Sequence, residues 1–283
     1  MQYLLPASVF LLMVSVGLSL KLTEVVAHWR RLDWFMWGRL GTATFIIPSA
    51  LALIIAKLFQ LSLGETAGLF LVGVAPGAPL LTRNLARKGF DMQMAASYQV
   101  WAALMIPLLI PILVAVAGKL YGRDIWIPPA ALFKQIVLKQ FLPLTVGMIA
   151  SRAFPRISRF QPVLNVLGNV LLTTMIAVVL FKMGPALKAI TPLAPVAALL
   201  LAVGSIAAIL LLTSGDALVK QTFAICNANR HVGLALLLSG QYVQARHALP
   251  IVACYALLAP VVVFVYAKCY PAQTVAPPMG RGN

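Results

Sequence analysis

Long apolar runs alternate with short polar stretches along nearly the whole chain, and the lengths of these runs suit a membrane. Their apolar residues are continuous and do not alternate with polar ones, which excludes a membrane β-barrel. A helix needs about 20 apolar residues to cross the hydrocarbon core of a bilayer. We therefore predict an all-α polytopic membrane protein with nine transmembrane helices, at residues 3–20, 36–59, 66–87, 92–118, 129–150, 161–183, 192–213, 219–243 and 247–268.

The composition supports this prediction. The chain of 283 residues is 61% hydrophobic and 10% charged, and its mean hydropathy is +0.95. A soluble domain of this size has too little interior for so many apolar side chains, so the lipid bilayer is the expected partner. The net charge of +16 indicates loops rich in Lys and Arg. Such loops are typical of the cytoplasmic side of membrane proteins, and no binding of nucleic acid is expected.

Loop lengths and charges predict the organisation of the chain. The connections are short, so residues 1–270 are predicted to form one transmembrane domain, followed by a disordered tail at 271–283 with several Pro and Gly residues. If the N-terminus is outside, thirteen of the 22 Lys and Arg residues fall on the inside and eight on the opposite side. This bias favours a cytoplasmic C-terminus in a cell membrane, either inner or plasma. The three cysteines have no metal-binding spacing, so no metal site is expected.

Two of the apolar runs are interrupted. In the eighth run, Asn227, Asn229, Arg230 and His231 fall within five residues, between apolar stretches. A charge at the centre of a bilayer costs at least ~2.5–3.5 kcal/mol. In the third run, the segment 75–79 (APGAP) breaks the helical pattern, because proline removes a backbone donor and clashes with the preceding turn. Unwound backbone at membrane depth is tolerated where it is buried in protein or lines a watery cavity. A proline-kinked helix would also explain the third run.

The two interruptions occupy matching places in the two halves of the chain. Each broken run is followed by a run that contains proline, so that runs 3 and 4 resemble runs 8 and 9. Runs 3 and 8 are five apart, and under strict alternation they cross the membrane in opposite directions. An inverted repeat with broken helices at corresponding positions points to the central site of a secondary transporter.

Three stretches resemble a known family. They are MVSVGLSLKLTEV at 13–25, PGAPLLTRNLARKGFD at 76–91 and NRHVGLALLL at 229–238. They are similar to the bile acid:sodium symporter family, and more broadly to the superfamily that it shares with arsenite and auxin carriers. The resemblance implies two inverted five-helix repeats, interleaved panel and core subdomains, and two broken helices that cross at mid-membrane. The M-x-x-x-G-L-x-L pattern ends the family's second helix and here ends the first, so the family's first helix is expected to be missing.

The sequence departs from the family at its sodium ligands. The family pattern P-G-G-x-x-S-N places Leu81 and Thr82 at the Ser and Asn positions, although Asn84 is available after a shift. The pattern Glu-x-Gly-x-Gln-Asn-x-Gly-Leu places Cys226 at the Glu position and Arg230 at the Gln position. A thiol is a poor ligand for sodium, and a guanidinium cannot bind a cation. The comparison implies that Arg230 permanently supplies the positive charge that sodium supplies in other members.

Arg230 is the first candidate for substrate binding. An arginine without a carboxylate partner at a helix break suits a carboxylate or another oxyanion, which it holds with two hydrogen bonds. The alternatives are a side chain that snorkels to the interface or pairs with a buried carboxylate. His231 is either a proton carrier, because imidazole titrates near physiological pH, or a neutral core residue. Asn227 and Asn229 either cap the half-helix that starts at Arg230 or contact the substrate.

The remaining candidates come from the first break and from polar positions inside two other runs. Gly77 permits close approach of the backbone, and a half-helix that starts near Leu80 would direct its positive end at the site. The polar positions in the other runs are spaced to face the bundle interior, where interhelical hydrogen bonding explains them as well as substrate contact does. These candidates are Pro76, Gly77, Pro79, Thr82, Asn84, Gln99, Asn165 and Asn169.

Together these features predict a secondary transporter that moves a small organic anion of the carboxylate type by alternating access, without a cofactor. Coupling stays open between sodium at a remodelled site, protons, and no coupling ion. A metalloid efflux carrier or a channel-like protein is the alternative from the same superfamily. A membrane enzyme is not predicted, because the chain offers no paired carboxylates, no H-E-x-x-H motif and no nucleophile with its base. Neither the substrate's identity nor the oligomeric state follows from the sequence.

Overall fold

The computed structural model describes residues 4–20, 29, 33–77, 90–121, 128–182, 190–240 and 245–271. These residues form helices and short connections and contain no strand. Turns of π-helix lie within the second helix at Thr42–Ile46 and within the fifth at Val137–Phe141, and a 3-10 helix at Pro155–Phe160 leads into the sixth. The helices are α1 Leu4–Ser19, α2 Trp34–Leu58, α3 Leu63–Val74, α4 Met92–Tyr121, α5 Pro129–Ala153, α6 Gln161–Lys182, α7 Ala194–Leu212, α8 Ala217–Ala228, α9 Val232–Ser239 and α10 Ala245–Cys269.

The helices correspond to the predicted apolar runs, and the all-α prediction is confirmed. Within the described residues, six helical stretches are long and apolar enough to cross a membrane, and α1 and α3 are shorter apolar helices. The eighth run is split into α8 and α9 at the predicted place. In the third run, α3 ends at Val74 and residues 75–77 are not helical. Most of the second half of that run and residues 272–283 of the predicted tail at 271–283 lie outside the described residues.

Large apolar side chains cover much of the outer surface. At least half of the surface of each of these side chains is exposed: Phe35, Ile54, Ile112, Leu211 and Phe264. In water, exposed apolar patches of this extent mark an interaction surface. On helices of this length and hydropathy, they are the surface that lipid would cover.

The helices pack in two groups. The first, which we call the α1–α5–α6 group, is held by contacts of α1 with both α5 and α6. In the second, α2 contacts α3 and α7, α7 contacts α8 and α10, and α3 contacts α9 and α10. The long helix α4 contacts α5 of the first group and α8 of the second. The two interrupted runs therefore lie in the second group, and the first group lies beside them.

Two glycines allow the backbones of α1 and α5 to touch. A Cβ atom on Gly17 would lie 2.2 Å from the carbonyl oxygen of Leu144, and one on Gly147 would lie 2.4 Å from that of Val14. Real Cβ atoms do not approach backbone so closely. Small residues at helix interfaces in membranes permit such contacts, which replace the hydrophobic driving force that is absent between helices in lipid.

We expect Gly147→Ala to lower the free energy of unfolding by about 1–3 kcal/mol, because the added methyl group forces the two backbones apart. Thermal unfolding of the purified protein in detergent would measure the effect. The matched control is Gly38→Ala in α2, where a Cβ atom would meet nothing within 4 Å. The control should unfold at or above the temperature of the unmodified protein. Equal unfolding temperatures for both variants would contradict the close contact.

Candidate functional site

The break in the eighth run consists of Asn229, Arg230 and His231, between the end of α8 and the start of α9. His231 is the N-cap of α9, and its Nδ1 accepts a hydrogen bond from the backbone N–H of Leu234 at 3.0 Å. The prediction that Asn227 or Asn229 caps this half-helix is wrong. The unwound segment extends through His231, so the imidazole is the side chain that reaches the free N–H groups of the first turn.

The two breaks touch each other directly. The backbone N–H of His231 donates to the carbonyl oxygen of Ala75 at 2.8 Å. Two residues further on, Gly77 has a φ of 75°, a left-handed conformation that glycine adopts without steric cost. Ala75 and Pro76 are buried, so this stretch of unwound backbone is enclosed by protein. Such enclosure is the condition under which irregular backbone is stable at membrane depth.

Arg230 is buried at this junction, with 2% of its surface exposed. Its Nη1 donates to the carbonyl oxygen of Thr44 at 2.8 Å, and its Nη2 donates to the hydroxyl of Ser205 at 3.3 Å. Its Nε has no hydrogen-bond partner among the described residues. Thr44 lies in the π-helical turn of α2, and π-helical turns are frequent at functional sites. The interpretation that Arg230 snorkels to an interface does not fit this burial.

No described carboxylate bonds to Arg230. Glu65 accepts from the backbone N–H and hydroxyl of Thr191 at 2.7 and 2.8 Å, and from the backbone N–H of Ser62 at 2.8 Å. Asp33 caps α2, and Asp216 precedes α8. The carboxylate of Asp91 accepts from the backbone N–H of Met94. Within the described part of the chain, the guanidinium therefore has neutral partners only.

A cavity of about 210 Å³ opens beside the second break. Its apolar wall comes from α1, α6 and α10. Asn169 donates from Nδ2 to Oδ1 of Asn165 at 2.7 Å, and its own buried Oδ1 has no partner among the described residues. The polar side chains that line the cavity are Asn169, Thr173, Asn229, Arg230, His231 and Tyr255.

The sequence of this chain matches a known family. The family model described as Sodium Bile acid symporter family matches residues 6–191. The chain belongs to this family. Its members are transporters and not enzymes, and the family and the apolar helices together make the chain an integral membrane protein. A comparison with curated proteins found no match. The matched span contains the first break and ends before α7, so the break that carries Arg230 lies beyond it.

The transporter brings only some of the predicted site residues to the cavity. Asn169, Asn229, Arg230 and His231 line it, and Asn165 lies behind Asn169. Gln99 and Gly77 line a second, smaller pocket. Pro79, Thr82 and Asn84 lie outside the described residues. For all of these residues, a contact with substrate stays a prediction.

Asn227 lies in the packing between helices. Its surface is fully buried, and its Oδ1 accepts from the hydroxyl of Tyr98 on α4 at 3.0 Å. Its Nδ2 donates to the carbonyl oxygens of Ala43 on α2 at 3.0 Å and of Ser205 on α7 at 2.7 Å. Asn227 thereby joins α8 to three other helices. Because its amide is fully used in this way, hydrogen bonding between helices explains its polarity.

Residues that the sequence analysis did not select complete the surroundings of the site. Tyr255 lines the cavity and donates from its hydroxyl to the carbonyl oxygen of Ala228 at 2.6 Å, which fixes the end of α8. Thr44 and Ser205 hold Arg230. One signal for Ser205 was available, since it is the single polar side chain within α7. The carbonyl oxygen of Thr44 could not be selected from the sequence, because every residue carries a backbone carbonyl.

Proposed function

We propose that this transporter carries a small organic anion of the carboxylate type by alternating access and binds it through Arg230. The observation that carries the proposal is the buried guanidinium at the cavity wall, which has only neutral partners among the described residues. An ionisable residue inside a membrane protein is costly and is usually functional. An anion in the cavity would offset that cost while it is bound.

The guanidinium retains donors for this role. It has five N–H donors in a planar fork, and one bond goes to Thr44 and one to Ser205. A further contact joins the guanidinium to the side chain of Tyr255, and the Nε–H has no partner among the described residues and is left for a ligand. A carboxylate accepts two parallel hydrogen bonds from such a fork, and these charge-assisted bonds are stronger than neutral ones. The two protein contacts meanwhile fix the direction in which the fork points.

The cavity favours a small substrate. Its volume of about 210 Å³ lies below the ~300–1,000 Å³ that is usual for pockets that enclose drug-sized ligands. The amides of Asn169 and Asn229 and the imidazole of His231 can bond to the uncharged part of such a molecule. A compact carboxylate therefore fits this conformation better than a steroid does.

We infer that Arg230 makes a sodium ion at this break unnecessary. The atoms that hold its Nη groups are a backbone carbonyl oxygen and a hydroxyl oxygen, and hard cations prefer oxygen ligands of this kind. Cys226, at the position of the family's Glu, is fully buried, and a thiol is a poor ligand for sodium. The positive charge is thus covalently part of the chain. The described residues that line the cavity include no cysteine, so they offer no thiol to a metalloid substrate.

The packing supports two inverted repeats. The contact between α2 and α3 has a counterpart between α7 and α8, and the contact between α3 and α10 has one between α8 and α4. Contacts between α1 and α6 and between α2 and α7 pair equivalent helices of the two halves. On this basis α5 begins the second repeat, and α6 to α10 follow it in the order of their counterparts α1 to α4. The Lys and Arg bias favours an outside N-terminus and a cytoplasmic C-terminus.

Proton coupling is the second candidate, and one observation favours it. The Nε2 of His231 is buried, lies on a residue that lines the cavity, and has no hydrogen-bond partner among the described residues. A neutral imidazole with a free nitrogen accepts a proton in the physiological range when its surroundings permit it. A proton that enters with the anion would then reside on His231.

Uptake of ¹⁴C-labelled pyruvate, pantothenate and cholate into proteoliposomes would test the proposal. We expect saturable uptake of both smaller carboxylates, pyruvate and pantothenate, with the same rate when sodium is replaced by potassium. An inward proton gradient should increase uptake if His231 takes part. Empty liposomes and liposomes with heat-inactivated protein are the controls. Uptake that requires sodium would refute the loss of the sodium site, and uptake of none of the three anions would refute the substrate class.

A further inference from the structure

A second pocket lies at the first helix break. It has a volume of about 10 Å³ and is lined by Met13 from α1, Gly77 from the break, Gln99 from α4 and Gln140 from α5, together with apolar neighbours. Gln140 has 2% of its surface exposed, and its buried Oε1 has no hydrogen-bond partner among the described residues. A buried amide oxygen without a partner is costly, so its presence needs an explanation.

The second pocket is built like the cavity at Arg230. Each is bordered by one helix break, by α1 and by the long helix that follows the break, which is α4 in one case and α10 in the other. Each also receives one amide side chain from the α1–α5–α6 group, Gln140 or Asn169, with a buried oxygen that has no described partner. The neighbouring residues Leu12 and Met13 of α1 face one cavity each.

The two differ in size. A volume of about 10 Å³ holds roughly one water molecule, which is too little for a carboxylate. The pocket is therefore too small for a substrate in this conformation, whereas the cavity at Arg230 has room for a ligand. Gln140 also lies in the π-helical turn of α5, as Thr44 lies in that of α2. Turns of this kind are frequent at functional sites.

We propose that the second pocket is the opposite access face of the transport path and that Gln140 is the substrate contact on that face. The inference rests on the proposed function, because it requires alternating access. None of the described residues that line the pocket is charged. The amide oxygen of Gln140 therefore accepts a hydrogen bond from a neutral donor of the anion, a hydroxyl or an amide N–H, when the pocket is wide enough to admit it.

Cysteine accessibility tests the access face without knowledge of the substrate. Gln140→Cys and Leu172→Cys, the latter at the cavity beside Arg230, are placed in a protein with Cys254→Ser and Cys269→Ser. The membrane-impermeant reagent MTSET is added to one side of proteoliposomes, and unreacted thiols are then counted with a fluorescent maleimide. The fully buried Ile110→Cys is the control for nonspecific labelling, and it also reports on the retained Cys226.

We expect each thiol to react from one side only, the two from opposite sides, with a preference of at least about tenfold because reaction requires access to the thiolate. Labelling of Leu172→Cys without labelling of Gln140→Cys, or labelling of both from the same side, would overturn the inference and leave the cavity at Arg230 intact. If neither thiol reacts above the Ile110→Cys control, the proposed alternating access is refuted as well.

Uptake kinetics test the contact itself. Pantothenate has hydroxyl and amide N–H donors, and pyruvate has neither. Gln140→Leu should raise the half-saturation concentration for pantothenate by about tenfold, as the loss of a buried hydrogen bond does, and change that for pyruvate by less than about twofold. Gln140→Asn should restore part of the difference. Equal effects on both anions would overturn the contact, and uptake of neither anion would overturn the substrate class of both proposals.

Discussion

Replacing Arg230 with glutamine is expected to reduce carboxylate uptake at low substrate concentration by at least about 100-fold, since hydrogen bonds to a charged group contribute ~1.5–3 kcal/mol each. The anion would lose its bidentate partner and would enter a buried site without an opposite charge. The initial rate of uptake of the labelled anion into proteoliposomes would measure the loss. Glutamine removes the charge and the two Nη contacts to Thr44 and Ser205 while it keeps a polar amide at this position.

Two further arginine variants separate charge from structure. Arg230→Lys keeps the charge without the planar fork, and we expect it to recover only part of the uptake. Arg159→Gln removes a charge from an exposed residue that stacks on Phe160, and its uptake should be normal. Each variant is first compared with the unmodified protein in thermal unfolding. Normal anion uptake by a folded Arg230→Gln protein would show that the guanidinium does not bind the substrate.

The second large effect concerns stability. Asn227→Ala is expected to lower the free energy of unfolding by about 2–4 kcal/mol, because it removes three interhelical hydrogen bonds that contribute ~0.6–1.7 kcal/mol each. The hydroxyl of Tyr98 and the carbonyl oxygens of Ala43 and Ser205 would each lose a partner. Unfolding in mixed micelles with increasing SDS would measure the change.

Asn229→Ala is the matched control for this variant. It removes the same side chain two residues away, where the amide bonds to the carbonyl oxygen of Ile225 in its own helix at 3.0 Å. We expect a change in stability of less than about 1 kcal/mol, the net contribution of one such bond. If the two variants unfold alike, the amide of Asn227 does not hold the four helices together.

The helices and the positions of the breaks could be predicted from the sequence, and the reason is local. Long apolar runs must be helical in lipid because their backbone bonds have no other partners. Such a run is interrupted by proline and glycine at 76–77 and by polar residues at 227–231, whatever the surrounding helices are. These signals depend on neighbours in the sequence alone.

The roles of the residues within the breaks could not be predicted in the same way. Asn227 and Asn229 are the same residue type two positions apart, and only the helices that surround them decide that one joins α2, α4 and α7 while the other faces the cavity. The cap of α9 falls on His231 because the unwound segment is two residues longer than expected. Gln140 is an ordinary amide near the middle of α5, and its position at a pocket depends on α1 and α4.

The hydrogen bond from the His231 backbone to Ala75 has a mechanical consequence. It joins the end of α3 to the start of α9, so a movement of either element is coupled to the other. We infer that the two helix breaks, joined at Ala75 and His231, move together as one unit. The surface along which this unit slides then lies between it and the α1–α5–α6 group. Within that group, the backbones of α1 and α5 are in contact at Gly17 and Gly147. Transport would then be a shear motion of one helix group past the other, with the substrate bound at the interface between them.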